Sequence, residues 1–163
     1  MPATEFQSRC RFCSITGDEG EVAEYDRPIA ISQGYFAIPS LGGFLSGWTL
    51  VCPRHHRVNL SAEYSTPAFL DFARRIYGAV TAEFGPAVVF EHGAAREGSV
   101  TGCGTDHAHL HFVPLEASLA TLVRQYEPTR DWIACSASDI RNIAAGHEYL
   151  FMSDRFEHSA THG

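Results

Sequence analysis

The sequence predicts an α+β domain: a mostly antiparallel sheet of about five strands, one main helix packed on that sheet, and a small C-terminal helical addition. Two observations support this prediction. Short apolar runs separated by glycine-containing turns come before and after a single long amphipathic segment, in the order strands, helix, strands. The chain has 163 residues, of which 45% are hydrophobic, so it can build one domain with a core of its own.

The first half of the chain contains three predicted strands, at residues 29–31, 35–39 and 48–52. The main helix is predicted to begin at Ser65-Thr66-Pro67, where a capping residue precedes a proline in the first turn. Apolar residues then recur at helical spacing as far as Phe84, and we expect this apolar face to pack in the core.

The second half of the chain returns to strands. A buried strand is predicted at residues 87–90, followed by a glycine-rich loop over 91–104 and by a strand from His107 to about Pro114. We expect short helices within residues 116–148 and a last strand at 148–152.

Composition limits the possible partners and compartments. The net charge of −7 argues against a protein that binds a nucleic-acid backbone, although a few local donors could still hold one small nucleotide. The sequence contains no long apolar run and no signal peptide, so we expect neither a membrane span nor secretion. Its five cysteines are an odd number, which favours a reduced, cytoplasmic protein over a disulfide scaffold.

Three histidines stand at alternate positions, at His107, His109 and His111. Side chains alternate between the two faces of a strand, so these imidazoles should share one face while Ala108 and Leu110 share the other. Three imidazoles in a row do not suit a hydrophobic core. They predict either a metal site or a site for proton transfer and nucleophilic chemistry near neutral pH.

The histidine motif has the form His-φ-His-φ-His-φ-φ, where φ is apolar, and it runs from His107 to Val113. Cys10-x-x-Cys13, Pro53-x-x-His56 and Glu91-His92-Gly93 come before it in a matching order. With these motifs, residues of roughly 10–115 resemble the histidine-triad superfamily of nucleotide hydrolases and transferases. The resemblance implies a histidine-triad domain over residues 1–115, an extension over 116–163 packed on the same domain, and a homodimer.

The resemblance also implies a chemical role for each histidine of the row. The middle one, His109, would be the nucleophile, His111 would contact the phosphate, and His107 would lie at the other end of the row near His56. The implied activity is hydrolysis of a phosphoanhydride or phosphoramidate of a nucleoside phosphate through a nucleotidyl-histidine intermediate. A neutral imidazole suits this step because it is nucleophilic at neutral pH and carries no charge to repel phosphate oxygens.

The loop before the triad is a candidate phosphate-binding segment. Its glycines would let backbone amides approach a phosphate group, and its hydroxyls could donate as well. The alternative is a flexible surface loop. The candidate substrate-binding residues are His92, Thr101, Gly102, Gly104, Thr105 and His111.

Cys10 and Cys13 have the spacing of metal ligands, and a closed structural zinc site needs two ligands more. The resemblance supplies His56 and His107, which gives a predicted structural Zn²⁺ site. A pair of reduced cysteines in a turn and a redox pair are the alternatives. His55 could exchange roles with His56, although the resemblance favours His56.

Three features bear on the substrate. Glu91-His92 stands where the commoner pattern has Asn. Together with the long loop that follows, it resembles a distinct subgroup near the splicing-factor-related and diadenosine-polyphosphate-hydrolase-like members. Glu91 should either orient a histidine or turn away from the phosphate and be paired. The resemblance to the hydrolase branches is favoured by His111, because members of the nucleotide-transferring branch have Gln at that position. The core is the expected location of five apolar residues, and an apolar slot for base and ribose is the alternative: Phe36, Ile38, Leu41, Phe44 and Leu45.

Two other functional classes stay open at this point. In a metal-dependent hydrolase or oxygenase, the three triad histidines would themselves hold a catalytic metal, although parallel side chains on one strand converge poorly on one ion. In a nucleotide-binding protein, the triad would bind its ligand with little turnover.

Overall fold

A computed structural model describes residues 10–15, 22–99 and 105–156. These residues contain a six-stranded antiparallel sheet with the strand order β1-β2-β3-β5-β4-β6. The strands are β1 (Ala30–Ile31), β2 (Tyr35–Pro39), β3 (Thr49–Pro53), β4 (Ala87–Gly93), β5 (Leu110–Pro114) and β6 (Tyr149–Ser153). The α+β prediction is confirmed.

One long helix and three short ones accompany the sheet in the described ranges. The helices are α1 (Arg11–Ile15), α2 (Pro67–Phe84), α3 (Leu119–Tyr126) and α4 (Ile140–Ala144). The main helix α2 begins at Pro67, as the Ser-Thr-Pro pattern predicts, and it ends before Gly85, whose φ of 87° is favourable for glycine. No described helix combines the length and the apolar character that crossing a bilayer requires.

The two faces of the sheet bury two separate clusters. On one face, Phe69, Phe72 and Ile76 of α2 pack in a cluster that includes Leu110 and Phe112 of β5. This burial confirms the predicted core face of the helix except at its end, where Phe84 is exposed.

The opposite face is covered near β2 and β3 by the short helix α1. Phe12 and Ile15 of α1 pack with Phe36 and Ile38 of β2. Of the two locations considered for Phe36 and Ile38, the core is therefore the correct one and the substrate slot is not: both side chains are fully buried. The sequence analysis did not predict α1, because a helix of five residues is too short to show an apolar period.

The triad strand starts later than predicted, at Leu110 instead of His107. Pairing with β3 reaches only as far as Val51 opposite Leu110, and the amide of Ala108 donates instead to the carbonyl of Arg57, at 2.6 Å. The alternation of faces nevertheless continues through this segment. Ala108 and Leu110 belong to the cluster under α2, which leaves the histidines towards the opposite face.

Residues after the triad strand rejoin the sheet. Strand β6 pairs with β4 from Val89 opposite Ser153 to Gly93 opposite Tyr149, so β4 extends beyond Phe90, where the sequence analysis ended it. The ring of Tyr149 crosses directly over Gly93: a Cβ atom at Gly93 would lie 2.2 Å from Tyr149 Cζ. Glycine at this position therefore leaves room for the Tyr149 ring.

Candidate functional site

Four potential metal ligands come together where α1 meets the start of the triad segment. Cys10 lies immediately before α1, Cys13 lies within it, His56 follows β3, and His107 precedes β5. Their ligand atoms all lie within 4.8 Å of one another. The structure thus brings together the four residues that the resemblance implied, and His55 is not one of them.

The distances between these side chains fit tetrahedral coordination of one metal ion. The Sγ atom of Cys10 lies 3.3 Å from Nδ1 of His107, and Sγ of Cys13 lies 3.4 Å from Nδ1 of His56 and 3.6 Å from Nδ1 of His107. Zn–S bonds of about 2.3 Å and Zn–N bonds of about 2.1 Å at tetrahedral angles place sulfur and nitrogen about 3.6 Å apart. The four residues could therefore hold a metal ion such as zinc.

The outer nitrogens of both histidines in the cluster are occupied by hydrogen bonds. Nε2–H of His107 donates to the carbonyl of Pro53 at 2.8 Å, and Nε2–H of His56 donates to the Glu97 carboxylate at 3.2 Å. In the neutral rings, Nδ1 is then unprotonated and faces the cysteines, as a metal ligand must. Burial, and then the neighbouring Cys10, raise the pKa of Cys13 in the absence of a cation.

His109 stands two residues after His107 and is partly buried. Its Nδ1–H donates to the backbone carbonyl of His107 at 2.7 Å, so the neutral ring carries its lone pair on Nε2. Burial lowers the pKa of His109, which keeps the ring neutral at pH 7. Phe12 of α1 contacts both rings edge-on, with ring centroids 5.5 Å from His107 and 5.6 Å from His109.

His111 has the opposite hydrogen-bonding arrangement. The indole Nε1–H of Trp48 donates to its Nδ1 at 3.0 Å, and Phe90 stacks on the ring with centroids 4.1 Å apart at an angle of 11°. Burial lowers the pKa of His111 well below its ordinary value, and the neighbouring His109 adds to this effect. The centroids of the His109 and His111 rings lie 4.6 Å apart, so the two imidazoles are direct neighbours.

The three triad histidines do not form a common metal site in the described residues, where the only cluster of at least three such ligand residues is Cys10, Cys13, His56 and His107. The Nδ1 atom of His107 faces the cysteines, while the Nδ1 atoms of His109 and His111 are engaged in hydrogen bonds. This geometry does not support the alternative of a catalytic metal held by all three.

Only some of the predicted substrate-binding residues lie in the part of the chain that the structure describes. His92 is exposed at the end of β4, with its ring 6.4 Å from that of His111, and burial of part of the ring lowers its pKa. Thr105 is partly buried, and its carbonyl lies 3.9 Å from the Sγ of Cys10. Thr101, Gly102 and Gly104 lie outside the described residues.

Glu91 faces away from the histidines, so the expectation that it orients one of them is wrong. Its fully buried carboxylate accepts hydrogen bonds from the amide of Leu60 at 2.6 Å, from the hydroxyl of Tyr64 at 2.7 Å and from the hydroxyl of Tyr149 at 2.8 Å. Burial raises the pKa of Glu91 to about 7, and the three donors oppose this effect. The alternative expectation, a carboxylate turned away and paired, is correct.

The loop between β2 and β3 supplies exposed apolar side chains near the histidines. Leu41 and Phe44 are exposed, with Phe44 at 84%, and Leu45 is partly buried. The Phe44 ring meets Trp48 edge-on, with centroids 5.8 Å apart. Of the five slot candidates, these three stay on the outside of the domain.

The sequence analysis missed the aromatic residues that surround the triad: Phe12, Trp48 and Phe90. One signal could have revealed Trp48. Leu50 pairs with His111, and Trp48 precedes Leu50 by two positions, so the two side chains share a face with His111. That inference required knowing that β3 pairs with β5.

No family model and no curated protein matches the sequence. Among solved structures, a hypothetical protein from Leishmania major aligns with a TM-score of 0.53 at 17% identity, over 85% of this chain and 92% of that one. A hypothetical histidine triad nucleotide-binding protein from Sulfolobus tokodaii aligns with a TM-score of 0.50 at 21% identity, over 66% of this chain and 70% of that one. A HIT family protein from Bacillus anthracis aligns with a TM-score of 0.49 at 20% identity, over 83% of this chain and 92% of that one.

At these identities the alignments concern the fold and not the activity. The first two, with TM-scores of 0.53 and 0.50, show that the architecture is shared. The chain therefore shares its fold with these two solved structures.

Proposed function

We propose that this protein is a nucleotide hydrolase that cleaves a phosphoanhydride or phosphoramidate of a nucleoside phosphate, with His109 as the nucleophile. The observation that carries the proposal is the hydrogen bond from His109 Nδ1–H to the His107 carbonyl, at 2.7 Å. This bond leaves a lone pair on Nε2 of a neutral, largely buried imidazole, which is the state that nucleophilic catalysis requires.

The reaction would proceed in two displacements at the α-phosphorus. In the first, the Nε2 lone pair of His109 forms a P–N bond while the bond from phosphorus to the leaving group breaks, and the leaving group departs with the electron pair. In the second, water attacks the nucleotidyl-histidine, the P–N bond breaks, its electron pair returns to Nε2, and the proton of the water is released to solvent. Splitting one difficult step into two easier ones is the general advantage of covalent catalysis.

The neighbouring residues would act on the phosphate and on the nucleophile. His111 and His92 lie on the same side of the sheet as His109 and would contact the phosphate oxygens. His107 would hold His109 through its backbone carbonyl. The predicted phosphate contacts of Thr101, Gly102, Gly104 and Thr105 belong to the same proposal.

We also propose that the bound metal is a structural zinc ion, held by Cys10, Cys13, His56 and His107. When bound, zinc would tie α1 to the segment that carries His107, and it takes no part in the displacement steps. Metal analysis of the untagged, purified protein should find close to one zinc per chain, and Cys13→Ser should lose it. Full folding of a zinc-free wild-type chain, with α1 in place, would contradict this assignment.

To test the activity, the wild type, His109→Ala and His147→Ala are each incubated with a panel of dinucleoside polyphosphates and nucleoside phosphoramidates. His147 is an exposed histidine of the C-terminal segment and serves as a matched control. The wild type and His147→Ala should hydrolyse at least one substrate, and His109→Ala should lose at least about a thousandfold in rate.

Acid quenching during turnover should trap a nucleotide on His109. Equal rates for the wild type and His109→Ala across the panel would refute the nucleophile. Nucleotide binding by the wild type without turnover would instead support the alternative of a binding protein.

The homodimer implied by the resemblance remains part of the proposal. Within the described sheet the edge strands are β1 and β6, because β6 covers the outer side of β4. A pair of chains joined through the sheet would therefore meet at β1 or β6. Light scattering on the full chain should give twice the monomer mass, and a monomer mass at micromolar concentration would contradict the proposal.

A further inference from the structure

We propose that Trp48 is a positioning residue that fixes His111 as a hydrogen-bond donor to a phosphate oxygen of the substrate. The inference rests on the function proposed above and adds a residue that the histidine motif does not contain. Its basis is one contact, the 3.0 Å hydrogen bond between Trp48 Nε1 and His111 Nδ1.

The direction of this hydrogen bond is not ambiguous. An indole N–H can only donate, so Nδ1 of His111 must be the acceptor and cannot carry a proton. A neutral imidazole has a single N–H group, which in His111 must then be at Nε2. Trp48 thus selects one of the two tautomers of His111.

The selected N–H group has no acceptor among the described residues, although it is buried. A buried donor without a partner is costly, so this N–H group calls for an acceptor from outside the described residues, such as a ligand or a water molecule. The ring stands 4.6 Å from that of His109, which places the donor beside the proposed nucleophile. A phosphate oxygen bound during attack on phosphorus would supply the missing acceptor.

The two adjacent histidines therefore hold opposite tautomers through different partners. The carbonyl of His107 can only accept, which places the proton of His109 on Nδ1 and leaves Nε2 free to attack. The indole of Trp48 can only donate, which produces the reverse arrangement in His111. One ring then offers a lone pair to phosphorus while the other offers a hydrogen to oxygen.

The packing around Trp48 and His111 holds this geometry. Trp48 contacts Phe90 edge-on, with centroids 6.2 Å apart, and Phe90 stacks on His111 at 4.1 Å. Stacking on Phe90 fixes the plane of the imidazole, and the indole N–H fixes which edge of the ring faces Trp48, since a 180° flip of the ring would lose the hydrogen bond. Trp48→Phe removes the N–H group and keeps an aromatic ring in place.

The first test measures the tautomers directly, by ¹⁵N–¹H correlation spectra of the imidazole rings in the ligand-free, full-length protein. In the wild type, His111 should be in the Nε2–H form. In Trp48→Phe it should become a mixture of both tautomers, while His109 stays in the Nδ1–H form and serves as an internal control. An Nδ1–H form of His111 in the wild type, or an unchanged Nε2–H form in Trp48→Phe, would overturn the proposal. This readout involves no substrate, so it stands or falls independently of the hydrolase activity.

The second test is a double-mutant cycle on kcat/KM with a substrate found in the panel. In the wild type, Trp48→Phe should lower kcat/KM about tenfold, the loss expected when one hydrogen bond no longer orders its partner. In a His111→Ala background, where no imidazole remains to be positioned, the same substitution should lower it less than about twofold. Equal losses in both backgrounds would assign Trp48 a packing role only and would refute the inference.

Discussion

Replacing Glu91 with Gln should remove a pH dependence of stability that its buried carboxyl creates. The folded environment raises the pKa of Glu91 from 4.5 to about 7, because burial disfavours the charged form more than its three donors favour it. An acid with a raised pKa binds its proton more tightly in the folded state than in the unfolded chain. Its stabilising contribution is therefore complete below pH 4.5 and is lost as the pH rises through 7.

The size of this contribution follows from the two pKa values. At about 1.36 kcal/mol per pKa unit, the rise to about 7 corresponds to at most about 3 kcal/mol in the free energy of unfolding. The facing groups are the hydroxyls of Tyr64 and Tyr149, whose pKa values burial raises above 10, so they do not titrate in this range. Glu91→Gln keeps the shape of the side chain and has no proton to lose.

Urea unfolding of both proteins, followed by circular dichroism between pH 5 and pH 8, measures this effect. The free energy of unfolding of the wild type minus that of Glu91→Gln should fall by about 2 to 3 kcal/mol from pH 5 to pH 8. Histidines titrate in both proteins and cancel in the difference. A difference that stays constant would refute the raised pKa, and one that grows with pH would mean that the three hydrogen bonds outweigh burial.

Two further substitutions test the packing of the domain. Phe69→Ala removes a fully buried ring that lies 5.3 Å from Tyr35, and it should lower the free energy of unfolding by about 3 to 5 kcal/mol. The exposed Phe44→Ala should change it by less than about 1 kcal/mol, and similar losses at both sites would contradict the assigned core. Gly93→Ala should push the Tyr149 ring away and cost about 1 to 3 kcal/mol in urea titrations. The matched control Gly34→Ala, where a Cβ meets no atom within 4 Å, should stay within about 1 kcal/mol, and equal stability of the two variants would mean that the ring moves freely.

The sequence alone was sufficient to predict the order of strands and the main helix, because both follow from local patterns. The alternation in the triad segment predicted correctly that Ala108 and Leu110 would share one face and the histidines the other. The spacing of Cys10 and Cys13 likewise indicated a metal site, because two cysteines separated by two residues are typical metal ligands.

Other features were decided only by the tertiary structure, because they depend on contacts between residues far apart in the chain. Glu91 stands next to the exposed His92, yet its carboxylate meets Tyr64 and Tyr149, because strand alternation turns it to the opposite face. By its sequence, Phe36 could line a ligand pocket or pack in the core. It packs in the core because α1 covers that part of the sheet. The proton positions of the triad likewise depend on the pairing of β3 with β5, which brings Trp48 to His111 across 63 positions of the sequence. Local sequence determines which side chains share a face, and only long-range packing determines which partner each side chain meets.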